Sequence, residues 1–322
     1  MSFGFNKVFK FTFVDWFKQK GILKYFVFLF VFYALVNFVS VYLMYSAFSP
    51  IASANTIAPA EAITLMVFFF TYFFALIIIC GIVSSLFSYF LIAKALVASK
   101  KDFVEFSVKQ WLRFIVLSIA ECFAAMFSVF NLKLLLVPIA AIVLIIIAAL
   151  LFVLSYSGNY IFALVGVLLL VIAFLLFLAY LVIWMYNCIR LTLSAIIFIE
   201  KKKGIMETLK ASWNLTKGNV INVLIVLLAI GIAAAVVSWI VALPLTFYQV
   251  GAGMAVEKNS AEAIKQLMGP VVLIMLIPSI IVQSIFVIIQ VFGLVAVYNE
   301  LSGSGKPSRF AAKKKSTKAK QK

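Results

Sequence analysis

Seven long apolar runs dominate the chain: Ile22–Phe48, Ala62–Ala93, Leu112–Phe130, Leu134–Ser155, Tyr160–Ile189, Val220–Val241 and Val271–Tyr298. Crossing the hydrocarbon core of a bilayer takes ~20 apolar residues in a helix. The runs show no alternation of period two, which argues against an outer-membrane barrel. The pattern predicts an all-α integral membrane protein. Composition agrees: 66% of the 322 residues are hydrophobic and 11% are charged, more apolar surface than a soluble core of this size could hide. The run before the cleavage-site mimic Ala52–Ala54 is far longer than a signal h-region, so the first run reads as an anchor rather than a signal peptide.

Charge then orders the runs. Of the 27 basic residues, 24 fall in four stretches: the first 24 residues, Lys94–Arg113, Arg190–Lys217 and the tail from Lys306. Basic residues stay in the cytoplasm, so both ends of the chain are expected there. Lys133, Lys258 and Lys265 fall on the opposite side. An even number of crossings must lie between Arg113 and Arg190, where three runs compete. Leu134–Ser155, bracketed by Asn131, Lys133, Pro138 and the Ser-Gly-Asn at 157–159, is the run expected not to cross. It is read as a re-entrant or laterally packed element, which would need protein around any non-helical backbone. Six transmembrane helices result.

Two segments are amphipathic rather than apolar. Wound as a helix, Ile205–Lys217 places Ile205, Met206, Leu209 and Trp213 on one arc, with Lys203, Lys210 and Lys217 along its margin and Gly218 as a stop. The N-terminus repeats the device with Phe5, Phe9, Phe13, Trp16 and Phe17. Both end in W-x3-K-G, at Trp16, Lys20, Gly21 and at Trp213, Lys217, Gly218, and Trp111 with Arg113 gives a weaker version before the third run. Such helices are expected to lie in the interface, with lysine stems reaching anionic headgroups. The recurrence suggests a threefold repeat of helical hairpins over 1–101, 102–203 and 204–301, related by an axis along the membrane normal. The alternative is that Trp and Lys merely flank inner-facing spans.

The stretch Arg190, Glu200, Gly204, Glu207, Leu209, Ser212, Trp213, Leu215 and Gly218 resembles a broad, largely uncharacterised family of bacterial and archaeal six-span membrane proteins. That family includes the membrane domain of some glycerophosphoryl diester phosphodiesterases. The closing Val295–Gly303 is similar to the family's usual ending. The resemblance implies six helices and cytoplasmic termini, and no catalysis, because a phosphodiesterase site as usually built needs histidine and this chain has none.

Candidate chemistry is sparse. Absence of histidine removes the commonest general base and metal ligand. Cys80, Cys122 and Cys188 lie in separate runs with no metal-binding spacing. No nucleophile elbow, P-loop or zincin motif occurs, and nothing implies a cofactor. Glu121 is the one acid deep in an apolar run, read either as a proton or cation relay or as a carboxyl holding two helices together. Asn187 and Arg190 close the fifth run, Arg190 being placed to reach a lipid phosphate or Glu200. Gln283 and Gln290 put amides into the last run, as a helix contact or a pore lining. The segment Leu245–Gly269, with a flexible Gly-Ala-Gly and a short amphipathic stretch, reads as a solvated loop helix or a lid.

These features divide the chain into an amphipathic segment (1–21), a membrane domain (22–301) and a polybasic tail (302–322). The tail is too polar to fold, and could contact anionic lipid or ribosomal RNA. The function expected is non-enzymatic: organising or assisting membrane components, with anionic lipids and other membrane proteins as partners. A transporter or channel built on Glu121, Gln283 and Gln290, and a lipid-modifying enzyme built around Arg190, are the alternatives.

Overall fold

A computed structural model describes residues 3–53, 59–99, 106–156, 160–255 and 270–303. The segment 256–269, with Lys258 and Lys265, and the tail from 304 lie outside the described residues. The elements are α1 (Phe5–Phe13), a 3-10 turn (Asp15–Lys18), α2 (Ile22–Ser53), α3 (Pro59–Ala98), α4 (Val108–Met126) and a second 3-10 turn (Leu132–Leu135). They continue with α5 (Leu136–Ser155), α6 (Tyr160–Leu191), α7 (Ser194–Lys201), α8 (Ile205–Leu215), α9 (Val220–Ala255) and α10 (Pro270–Leu301). Every described element is helical. The protein is an all-α membrane protein in which six described helices are long and apolar enough to span a bilayer.

Those six correct the expectation for the middle of the chain. Leu132–Ser155 is among them and Leu112–Phe130 is not. The run read as re-entrant is a continuous helix, α5, packed along α6. Pro138 falls in its first turn, where the missing N–H belongs to the set that has no helical partner anyway. Features read as a break therefore mark a helix start. In contrast, α4 carries Lys109, Arg113 and Glu121 within 19 residues and is amphipathic. The number of span-like helices between Arg113 and Arg190 remains even, but they are α5 and α6.

The chain divides into two compact units, Met1–Trp111 with Ile225–Lys322, and Leu112–Leu224. In the first, α1, α2 and α3 all pack on α10, the most enclosed of the six. Helix α1 docks through Val8 and Thr12, both buried, and Phe11 stacks on Phe292 at 5.6 Å. Its phenylalanine ladder, Phe5, Phe9 and Phe13, stacks along the helix at 6.1 and 6.2 Å and stays half-buried. The docking face is thus not the aromatic arc. Trp16 is buried as well, rather than lying at an open interface. The Gly4 N–H donates to Glu300 Oε1 at 3.0 Å, supplying α1 with the N-terminal acceptor that its own sequence lacks.

In the second unit, α5 and α6 form a hairpin that closes tightly at Gly166, where an added Cβ would meet the Phe152 ring at 3.3 Å and the Ala148 carbonyl at 3.4 Å. Helices α7 and α8 pack on one another, and α8 also on α6.

One arrangement occurs three times. An amphipathic helix precedes two long apolar ones: α1 before α2 and α3, α4 before α5 and α6, α8 before α9 and α10. The start of α4 holds α3, through Trp111 Nε1 donating to Ser85 Oγ at 3.1 Å and Tyr89 Oη donating to Gln110 Oε1 at 3.0 Å. Likewise α8 packs on α6, and α1 on α10. Before α2 and α9 the chain turns at Gly21 and Gly218, both with φ of 81°, a value side-chain-bearing residues resist. The expected stop at Gly218 is therefore observed, and Gly21 repeats it.

Gly293 on α10 fixes how closely its neighbours approach. A Cβ there would sit 2.6 Å from Ile230 Cδ1 and 3.1 Å from Thr12 Cγ2. Gly293→Val should destabilise the detergent-solubilised protein by about 1–3 kcal/mol, the usual cost of overpacking. Gly231→Ala, which meets nothing within 4 Å, should stabilise it slightly by removing chain entropy. Thermal unfolding of the two variants beside the parent checks both signs.

Candidate functional site

The polar residues of α6 converge on one task. Tyr180, Asn187 and Arg190 follow at helical spacings of seven and three, with Ser194 four residues beyond at the start of α7. Their donors reach the C-terminal ends of two other helices. A helix end leaves its last four carbonyls without intrahelical partners. In an apolar surround each such group costs several kcal/mol if left bare.

At α4, the Val129 N–H closes back onto the Ala124 carbonyl at 3.2 Å, the six-to-one bond of a Schellman turn. The turn needs a left-handed residue, and Ser128 fills that place with φ 49°. Glycine is the usual occupant; serine costs roughly 1–2 kcal/mol there. Compensation comes from α6. Asn187 Nδ2 donates to the Ala125 carbonyl at 3.0 Å and to Ser128 Oγ at 2.8 Å, and Tyr180 Oη donates to the Met126 carbonyl at 2.9 Å. Asn187 is fully buried, and its Oδ1 has no partner among the described residues. Further along, Ser194 Oγ donates to Glu121 Oε2, joining α4 to the start of α7. Glu121 is thus hydrogen-bonded across to the start of α7. It lies on α4, outside the six span-like segments, and burial pushes its carboxyl up to about 7 against the opposing pull of the Ser194 hydroxyl.

At α8 the donor is Arg190, 5% exposed. Its Nε and Nη2 both donate to the Trp213 carbonyl, at 3.2 and 2.5 Å, Nε also to Thr216 Oγ1 at 3.1 Å, and Nη1 to Tyr186 Oη at 2.5 Å. The guanidinium carbon lies 4.1 Å from the Trp213 ring centroid and 5.5 Å from that of Tyr186. Phe130 stacks on Trp213 at 5.1 Å. None of these partners is a carboxylate. The countercharge is the negative end of the α8 dipole, roughly half an elementary charge, supplemented by the aromatic faces. In return, the Arg190 carbonyl accepts from Ser212 Oγ at 2.9 Å and Thr216 Oγ1 at 3.1 Å. Glu200, one of the partners expected for Arg190, is not among these.

Helix α8 therefore faces α6 and α7 with Thr208, Leu209, Ser212 and Thr216, all buried, while Met206 is 60% exposed. The apolar arc read from the sequence is divided: Leu209 is buried and Trp213 packs against Arg190, while Met206 is turned outward. The missed signal was legible: Thr208, Ser212 and Thr216 recur every four residues, a small-residue stripe suited to close helix contact. Trp213 is half-buried, and Lys203, Lys210 and Lys217 are exposed along the other side. Lys20 and Arg113 are exposed, and Trp111 is half-buried. Gln283 and Gln290 are exposed on α10, while Ser284 between them is buried and donates to the Ile280 carbonyl. The structure thus unites Glu121, Asn187, Arg190 and Trp213 in one unit and leaves Gln283 and Gln290 in the other.

Two cavities accompany these elements. One of about 740 Å³ lies in the second unit against α5, α6 and the end of α4, lined by apolar groups including Phe127, Ala141, Ala173 and Phe177. The other, about 320 Å³, lies in the first unit near Phe30, Asn37 and Ile280. Neither is lined by Glu121, Gln283 or Gln290. No cluster of three or more potential metal ligands occurs among the described residues. No family model, curated protein or solved structure matches this chain.

Two outcomes follow from this geometry. Arg190→Ala should cost about 2–4 kcal/mol by baring the α8 terminus. Arg190→Lys should recover little of that, because a point ammonium cannot reproduce the fork or the stacking; chemical denaturation in mild detergent measures both. Glu121, with its folded carboxyl raised to about 7, stabilises the fold while protonated. Stability should therefore fall as pH rises from about 4.5 through 7. Thermal midpoints across that range should lose this component in Glu121→Gln.

Proposed function

We propose that the chain is a non-enzymatic protein of the cell membrane that organises other membrane components, anionic lipids first among them, with both termini in the cytoplasm. The observation that carries this reading is the use made of the polar residues. Glu121, Asn187 and Arg190, the groups best suited to chemistry or transport, are bonded to helix ends and to a serine hydroxyl. Exposed on and around α8, by contrast, are Lys201, Lys202, Lys203, Lys210 and Lys217, none in an ion pair among the described residues. Such a group is attracted to an anionic leaflet by about 1 kcal/mol per basic residue. Contact with other membrane proteins and docking of the basic tail to a ribosome are extensions of the same reading, as is kinship with the six-span family.

The orientation has its own support. Gly4 and Glu300 are hydrogen-bonded, so the N-terminal segment and the end of the last span share one side of any bilayer. With α5 and α6 as the crossing pair, Lys133 moves to the basic side, leaving Lys258 and Lys265 as the exceptions. Single cysteines introduced at Lys133, Ser157 and Lys203 in a cysteine-free background test this with a membrane-impermeant thiol reagent. Lys133 and Lys203 should label from the cytoplasmic face and Ser157 from the opposite one. Labelling of positions 133 and 203 from opposite faces would return α4 to the crossing set.

The role is tested with the full protein in vesicles containing fluorescent anionic lipid. Self-quenching should increase on reconstitution, weaken with salt, and fall when Lys201, Lys202, Lys203 and Lys210 are changed to Gln. Uniform lipid distribution, or solute uptake driven by a pH gradient and abolished in Glu121→Gln, would replace organisation with transport.

A further inference from the structure

The 740 Å³ cavity has a shape and lining of its own. Ala141 and Ala173, both buried, line it from α5 and α6, with Ile145, Phe177 and Phe127 among the larger side chains. The volume lies within the roughly 300–1,000 Å³ typical of ligand sites. Its polar surface is slight, and the Tyr180 hydroxyl that borders it is committed to the Met126 carbonyl. A ligand here would find hydrocarbon and no free polar anchor. Both walls belong to helices long and apolar enough to span a bilayer, where a cavity between them would meet acyl chains.

A charge lies close in the chain to one end of the cavity. Leu135, which lines it, belongs to the turn Leu132–Leu135, and Lys133 in that turn is exposed. Lys133 has no ion-pair partner among the described residues, and no acidic residue occurs between Glu121 and Glu200. An apolar slot with an unpaired cation two residues beyond its lining matches an acyl chain that carries an anionic head.

We propose that this cavity binds one anionic phospholipid, its acyl chain against Ala141 and Ala173 and its phosphate at Lys133. The inference rests on the membrane reading above but concerns a single bound molecule, not the lipid crowd around the lysines of α8. Native mass spectrometry of the full chain, titrated with phosphatidylglycerol or phosphatidylcholine of identical chains, separates the two. The expected result is a one-lipid adduct favouring phosphatidylglycerol, with the preference reduced about fivefold in Lys133→Gln, the equivalent of ~1 kcal/mol. Ala173→Phe should lower the occupancy by both lipids. Lys133 is at the surface, so its variant tests the site even where Ala173→Phe fails to fold. Equal retention of the two lipids by the parent protein would overturn the proposal, as would an unchanged preference in Lys133→Gln. Two other occupants would also overturn it: detergent retained as firmly as lipid, or a second copy of the chain in a lipid-free dimer. Neither outcome touches lipid clustering by the α8 lysines, which depends on different residues.

Discussion

A helix that ends within an apolar surround must have its last carbonyls answered, and the second unit of this protein is organised around that requirement. Helices α4 and α8 both stop beside α6, and α6 supplies the donors. Asn187 and Tyr180 serve α4; Arg190 serves α8. Water could do this work at a soluble surface for little cost. Here α6 provides the donors, which accounts for a buried asparagine and a buried arginine near the end of a helix that is otherwise almost wholly apolar. The same bonds fix the two amphipathic helices to the hairpin. The groups that hold the fold together are therefore those that a search for a reactive site would pick out.

The rule extends to the other unit in altered form. Helix α1 is held at its beginning, by Glu300, and along its length by the close approach at Gly293. The start of α4 is held by Ser85 and Tyr89 of α3. In each case the amphipathic helix leans on a long apolar helix, by different chemistry. Its exposed side is left free for lysines or phenylalanines.

Much of the architecture was written in the sequence, and the failures have physical causes. The parity of basic residues about the Arg113–Arg190 interval demanded an even number of crossings, and six span-like helices follow. Choosing which run to omit was harder. Pro138 and Lys133 interrupt a hydropathy trace, yet at a helix start they cost nothing. Lys109, Arg113 and Glu121 were the stronger argument, spread over α4 where a single window dilutes them. Gly218 was legible because only a turn explains it. The hydroxyl half of each docking face was not, since Leu209 and Trp16 sit on the apolar arcs that attract attention while Thr12, Ser212 and Thr216 look solvent-facing. Small hydroxylated residues at a spacing of four suit close helix contact as well as apolar ones do. Arg190 and Trp213 were each singled out, but 23 residues of separation concealed that one clamps the carbonyl of the other.

The central claim is that α6 side chains hold the ends of α4 and α8. Amide hydrogen exchange over the last turns of those two helices tests it most directly, in lipid nanodiscs with the parent protein, Asn187→Ala and Arg190→Ala. Protection should be lost at Ala124–Phe130 in Asn187→Ala alone, and at Ser212–Lys217 in Arg190→Ala alone, with the α5–α6 hairpin unaffected in both. Equal protection in all three proteins, or loss spread evenly over the chain, would contradict the account.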